Sequence, residues 1–251
     1  MGNYYAFDFD GVICNSAAES GITAWRAAHA LWPERVDATP SADFIERFPR
    51  LRPVIETGHE NVAVVALVVN GHSDEDILNG FPALRDELLA AGNFDALSMR
   101  RAFGAARDAW LRDDEDSWLA AQNAYPGIVE AINTLDAPLC IITTKEDRFT
   151  RKLVARFGMR VDADRIYALE SFEGGGKRSV LAKLASEFPG HRLHFFEDRL
   201  ATLQTMRDTS LAQLYLVDWG YNTAPERAQA ASIDSIEVLN TERFLAIINA
   251  A

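Results

Sequence analysis

The stretch Phe7-Asp8-Phe9-Asp10-Gly11-Val12 decides how this chain reads. It closes an apolar run over residues 4–7 that has the look of a strand covered on both faces. Two carboxylates one residue apart at the end of a buried strand are costly unless a cation neutralises them. Gly11 lets the chain turn sharply just beyond them. An oxygen-rich site of this kind suits a hard cation such as magnesium. On this motif alone, a surface Asx turn with both aspartates in water stays open.

Working outward, residues 139–142, 193–196 and 214–217 are further short apolar runs, with a weaker one near 166–169. Helical patterns alternate with them over 127–135, 148–157, 178–188 and 201–209. That alternation predicts a parallel sheet with helices on both faces. The stretch between Ala17 and Tyr125 differs, with helical periodicity and no convincing buried strand. Trp25, Ala28 and Trp32 share one helical face, as do Phe103, Ala106, Arg107 and Trp110. Pro33, Pro40, Pro49, Gly71 and Pro82 punctuate it. The run 62–69 is β-branched, but helical patterns flank it, so a buried helix is expected. The expected fold class is therefore α/β. A three-layer α/β/α, Rossmann-like core with a parallel sheet takes residues 1–16 and 125–251, and a helical domain is inserted over 17–124.

Composition narrows the function. The 251 residues are 48% hydrophobic, enough for one large domain or a core with a smaller one attached. Against 37 acidic residues stand 25 Lys and Arg, a net charge of −12. This argues against nucleic acid or an anionic membrane surface as partner. An anionic substrate would need a local positive site. Cys14 and Cys140 carry no metal-cluster or disulfide spacing and read as reduced core thiols, which points to a reducing compartment. Residues 1–7 lack the basic region of a signal peptide, and the longest apolar run, 62–69, is far shorter than the roughly 20 residues of a membrane span. The expected location is the cytoplasm, with an organelle left open.

Three more strand ends carry chemistry. Residues 139–142 run into Thr143, Thr144 and Lys145, where a hydroxyl can donate to a phosphoryl oxygen or merely cap a turn. Gly174-Gly175-Gly176-Lys177 precedes a helical pattern, and a lysine there can place a point charge on a phosphate or stand exposed after a flexible loop. A phosphate-loop reading fails, because Arg178 follows the lysine and Ser171 holds the first position. Leu193-His194-Phe195-Phe196 runs into Glu197-Asp198, again an acidic pair at a strand end. The histidines show no ligand spacing, and His194 is expected to be structural.

Taken in order, these segments resemble the haloacid dehalogenase-like superfamily in its phosphatase form. Residues 8–16 are similar to its first motif, Ile142-Thr143-Thr144-Lys145 to the second as in phosphoglycolate phosphatase-like members, Lys177 to the third and Glu197-Asp198 to the fourth. Val217-Asp218-Trp219-Gly220-Tyr221 resembles the segment after the fifth strand. Residues 50–58, with 197–203 and 219–223, look closer still to a branch found in cyanobacteria and plants. The fourth motif departs from the usual Gly-Asp or Asp-Asp, since Glu197 precedes Asp198 and Thr202 stands at the later acidic position.

The resemblance implies a Mg2+-dependent phosphatase acting on a small phosphorylated substrate through an aspartyl phosphate. Asp8 would be the nucleophile and Asp10 the general acid and base, with Thr143 and Lys177 on the transferred phosphoryl group. The metal would be held by Asp8, the backbone carbonyl of Asp10 and Asp198, with Glu197 binding directly or through water. Thr144 is carried over as a substrate contact. The insertion would be a cap, and Arg50 and Arg52 its candidate substrate-binding residues, against the plainer reading that they pair with cap acids such as Glu46 or Glu56. A phosphomutase needs the same residues, and a catalytically silent binding protein could keep the fold. A dehalogenase would leave Asp10 without a task. A homodimer stays open.

Overall fold

The computed structural model describes residues 2–91, 95–172 and 174–250. The extreme ends of the expected core, Met1 and Ala251, lie outside the described residues. The chain divides into two compact units, Met1–Asn15 with Asn123–Ala251, and Ser16–Gln122.

The first unit carries the strands. In chain order they are β1 (Gly2–Phe7), β2 (Cys14–Asn15), β3 (Asn123–Ala124), β4 (Leu139–Ile142), β5 (Ile166–Tyr167), β6 (His191–Glu197), β7 (Gln213–Val217) and β8 (Ile236–Leu239). Six of them form one sheet in the order β5-β4-β1-β6-β7-β8, with every neighbour parallel. β2 and β3 make a small antiparallel pair. The chain builds from β1 to one edge through β4 and β5, then crosses back to build the other half from β6. The strand order thus reverses at β1. The carboxyl ends of β1, β4 and β6 meet at that switch point, where open α/β sheets bind ligands.

Strand alternation explains why β1 is the axis of the core. Tyr4 and Ala6 face one layer, with Cys140, Ile142, Leu181, Leu193 and Phe195. Tyr5 and Phe7 face the other, in an aromatic ladder. Tyr5 stacks on His194 at 4.9 Å and Phe7 on Phe196 at 4.9 Å, and Tyr215 follows Phe196 at 4.6 Å. Burial of each such side chain contributes about 1.5–3 kcal/mol. His194 is structural, as expected: it is buried, and its ring nitrogens meet the Tyr215 hydroxyl at 3.0 Å and Asn3 Oδ1 at 3.2 Å.

The second unit is helical among its described residues: α1 (Ala17–Leu31), α2 (Ala42–Leu51), α3 (Gly58–Val69), α4 (Asp74–Ala90), α5 (Ala96–Asp113) and α6 (Glu115–Ala120). The β-branched run 62–69 is indeed helix. Residues 60–67 of α3 are all buried, which explains its lack of a polar face. α3 packs against α1, α4 and α5, and its residues join Trp25, Phe44, Phe48 and Phe103 in one apolar core.

Pro49 and Pro82 do not separate helices, contrary to the sequence reading; they lie inside α2 and α4. Each removes one helical N–H. The neighbours Phe48, Leu51, Ile77 and Phe81 are buried, and their packing outweighs the lost bond.

The first unit's helices are α7 (Ile128–Ile132), α8 (Asp147–Arg156), α9 (Gly176–Glu187), α10 (Leu200–Gln204), α11 (Ala224–Ala231) and α12 (Thr241–Asn249). β5 stops at Tyr167, where the sequence suggested a run to 169, and Leu169–Ser171 turns as a 3-10 helix instead. α10 is likewise shorter than the pattern over 201–209.

Candidate active site

The site is built from the end of β1. The Asp8 N–H still bonds to Phe196 O at 2.9 Å, so the sheet register carries the first aspartate into place. The chain then folds tightly: Ile13 N and Cys14 N both donate to Phe9 O, and Gly11 N donates to Cys14 O at 2.9 Å. Gly11 has φ +88°, in the left-handed region. A Cβ there would overlap the Asp198 carboxylate, and one on Gly220 would overlap the Asp198 side chain and Gly11 O. The two glycines thus make the slot that Asp198 fills.

Asp8, Glu197 and Asp198 are buried, each with a carboxylate oxygen within 4.8 Å of the others. Lys177, from the first turn of α9, enters this cluster. Its ammonium lies 2.7 Å from Asp8 Oδ1 and 2.8 Å from Glu197 Oε2. Glu197 Oε1 accepts from the N–H groups of Asp198 and Arg199, each at 3.2 Å. Asp198 Oδ2 accepts from Tyr221 N at 2.7 Å. Asn222 Nδ2 ties Asp198 O to Val217 O, both at 2.8 Å, and Arg227 grips Asn222 Oδ1 at 2.9 Å. Trp219 Nε1 donates to Val12 O at 3.0 Å.

The electrostatics are unbalanced. Three carboxylates (−3) against the Lys177 ammonium (+1) leave −2 when all are ionised. Burial, then the charge of Glu197, pushes Asp8 up to about 8, although Lys177 pulls the other way. Burial raises Glu197 and Asp198 as well, and Asp8 adds to the shift at Asp198. Burial works against the Lys177 ammonium, but Asp8 and Glu197 outweigh it and hold its pKa above the ordinary value.

An all-oxygen cluster short of positive charge fits a hard divalent cation such as magnesium. Asp8, Glu197 and Asp198 could together hold one. Both oxygens of Glu197 already accept hydrogen bonds, so it would ligate through its remaining lone pairs.

The other sequence candidates divide. Asp10 is not part of the carboxylate cluster; its Oδ2 lies 3.2 Å from Lys145 Nζ. Thr143 is buried at the end of β4, its Oγ1 accepting from Lys145 N at 3.1 Å, while Thr144 is exposed. Arg50 and Arg52 belong to the helical unit. The Arg50 side chain is 59% exposed, pairs with Asp74 at 3.3 Å and donates to Glu46 O at 3.0 Å. Arg52 donates to Ile55 O at 3.1 Å.

Sequence reasoning passed over Lys145, Asn222 and Arg227. Lys145 stood in the quoted run after Thr143, three residues beyond the end of β4, and that position was its signal. Asn222 reaches main-chain carbonyls of Asp198 and Val217, and Arg227 reaches Asn222, which leaves no spacing to read.

A family model for haloacid dehalogenase-like hydrolases matches residues 3–208, and the chain belongs to that family. Solved structures agree on the fold. A predicted phosphatase from Clostridium acetobutylicum superposes with a TM-score of 0.60 at 16% identity, covering 100% of both chains. A predicted phosphoglycolate phosphatase from Haemophilus somnus gives 0.62 at 14% identity, over 98% of this chain and 97% of the other. A haloacid dehalogenase-like family protein from Streptococcus pneumoniae gives 0.58 at 16%, over 98% of each. No curated protein sequence matches the chain.

Proposed function

We propose that this hydrolase is a magnesium-dependent phosphatase that cleaves a small-molecule phosphate monoester through an aspartyl phosphate on Asp8. The observation that carries the reading is the Lys177 ammonium bridging Asp8 and Glu197 beside Asp198, at the switch point of the sheet. Phosphoryl transfer asks mainly for positioning and charge neutralisation, and this cluster is organised for both.

In the first step an Asp8 oxygen bonds to phosphorus, the bond from phosphorus to the ester oxygen breaks, and Asp10 gives its proton to the leaving alkoxide. In the second, a water oxygen bonds to phosphorus, the bond from phosphorus to the Asp8 oxygen breaks to release inorganic phosphate and the free Asp8 carboxylate, and Asp10 takes the water's proton. Lys177 uses two of its three N–H bonds on Asp8 and Glu197, and the third can reach a phosphoryl oxygen. Thr143 would donate its hydroxyl to another, and Thr144 stands at the same strand end. Held by Asp8, Asp10 O and Asp198, with Glu197 directly or through water, Mg2+ would supply positive charge that lets an anionic nucleophile meet an anionic ester.

The helical insertion, residues 17–124 on the sequence reading, would act as a cap that excludes water and reads the leaving group. Arg50 and Arg52 are the candidate substrate contacts within it; Arg50 already pairs with Asp74 and Arg52 donates to Ile55 O. The reading takes no membrane partner, and no helix among the described residues is long and apolar enough to cross a bilayer. Cys14 and Cys140 are buried and form no disulfide among the described residues, which suits a reducing location such as the cytoplasm. The test is a phosphate-ester panel assayed with Mg2+ and with EDTA. Phosphate release in Mg2+ alone supports the reading, and no release from any ester in either condition contradicts it.

A further inference from the structure

We propose that Lys145 is a positioning residue for Asp10, holding one carboxylate oxygen so that the other faces the leaving group; this rests on the phosphatase reading above. The Lys145 side chain is 2% exposed, and its Nζ lies 3.2 Å from Asp10 Oδ2. Asp10 Oδ1 is buried and has no hydrogen-bond partner among the described residues. The two oxygens are therefore unequal: one is tied to an ammonium and the other accepts no hydrogen bond from the described residues.

The main chain of Lys145 is fixed on both sides. Its N–H donates to Thr143 Oγ1 at 3.1 Å, and its carbonyl accepts from Leu169 N at 3.1 Å. Thr143 N in turn donates to Tyr167 O at 2.9 Å, so β4 and β5 together set where the ammonium sits. The strand end that carries Thr143 thus also orients the group that protonates the leaving oxygen.

Stability alone is a poor reason for this arrangement. Burying an ammonium is costly, and apolar residues of similar volume often serve a fold as well as a buried pair does. A general acid, by contrast, must point at the oxygen it protonates, and a small misplacement is costly in rate. The chemical step is unchanged. The bond from phosphorus to the leaving oxygen breaks as the Asp8 oxygen bonds to phosphorus, and the Asp10 proton passes to the leaving oxygen. Lys145 transfers nothing.

The experiment compares Lys145→Met, Asp10→Asn and the double variant in Mg2+, using 4-nitrophenyl phosphate and an alkyl phosphate that the wild type turns over. kcat/KM reports phosphoryl transfer to Asp8, and 4-nitrophenolate leaves without needing a proton. Lys145→Met is expected to lose roughly 10–100-fold on the alkyl ester, within the range of general-acid help, and less than about 3-fold on the aryl ester. In the Asp10→Asn background the same substitution should change neither further, because the positioned group is already disabled. The double variant carries no unpaired buried charge and keeps the comparison available if Lys145→Met alone fails to fold. Equal losses on both esters, or a full further loss in the Asp10→Asn background, would overturn the proposal while leaving the phosphatase reading intact. A wild type inactive on every ester would instead sink that reading.

Discussion

Each unit of this protein buries carboxylates, and the two solve the cost differently. In the helical unit Glu19 is fully buried and accepts from Arg107 Nε and Nη2, each at 2.8 Å, from Thr23 Oγ1 at 2.7 Å and from Trp118 Nε1 at 3.1 Å. One guanidinium meets one carboxylate through a planar fork, with Phe103 stacked on the guanidinium at 4.6 Å. In the sheet unit three carboxylates share one ammonium, and burial raises the pKa of all three. The contrast separates two uses of buried charge. The balanced cluster joins α1, α5 and α6, whereas the unbalanced one is held in deficit by Gly11, Gly220 and Asn222, a state suited to binding a cation.

The comparison breaks most sharply on activity. Asp8→Asn should abolish turnover, since an amide is a poor nucleophile, and Asp10→Asn should lower it roughly 10²–10⁴-fold. Phosphate release from purified variants checks both; full activity in Asp8→Asn would end the account of the sheet unit's cluster. Next in size is Arg107→Met, which strands Glu19 in the helical core. Loss of one partner of a buried pair costs about 3–5 kcal/mol, to be read from urea unfolding, and a change below about 1 kcal/mol would mean that the balanced cluster does not hold its helices.

A smaller effect belongs to His194, whose pKa is pushed down to about 4 by burial and then by Arg192. The unfolded ring takes its proton near 6.5. Between those values the unfolded state binds the extra proton, so stability falls as pH drops from about 6.5 to about 4 and is unaffected by this residue above that window. His194→Phe should flatten the pH dependence there by up to one proton; an unchanged slope would remove His194 from the explanation. Smallest is Arg50→Ala, whose exposed pair with Asp74 contributes about 0–1 kcal/mol and should leave kcat/KM nearly as it is. Arg52→Ala should instead lower kcat/KM for the best natural ester more than for an aryl phosphate. Equal small effects from both arginines would make both structural.

The sheet and the core of the site were legible because their signals are local. A buried parallel strand shows as a short apolar run, and a residue at its carboxyl end is already at the switch point, so Asp8, Thr143 and Glu197-Asp198 could be placed from sequence order. β8 could not be read, since Glu237 interrupts its apolar pattern at the sheet edge. α11 and α12 are capped by Thr223 and Asn240 and went unread; they are short and bury few side chains, Ala230 in the first and Phe244 and Ile248 in the second. Pro49 and Pro82 misled because helix interruption by proline is a local rule, and here packing around Phe48 and Phe81 decided instead. The buttress of Asp198 by Tyr221 and Asn222 runs from the end of β7 to that of β6, each bond with a main-chain atom at one end and so no pair of residue types to recognise.

The charge deficit itself is tested most directly by thermal unfolding of the wild type and Asp198→Asn, each in EDTA and in Mg2+. The account predicts that Mg2+ raises the wild-type midpoint, since a ligand that binds the folded state alone stabilises it. It predicts that Asp198→Asn starts higher than the wild type in EDTA, by about 2–4 °C for each kcal/mol of repulsion removed, and gains little from Mg2+. A wild type indifferent to Mg2+, or an Asp198→Asn variant that is destabilised in EDTA yet still responds fully to the metal, would contradict it.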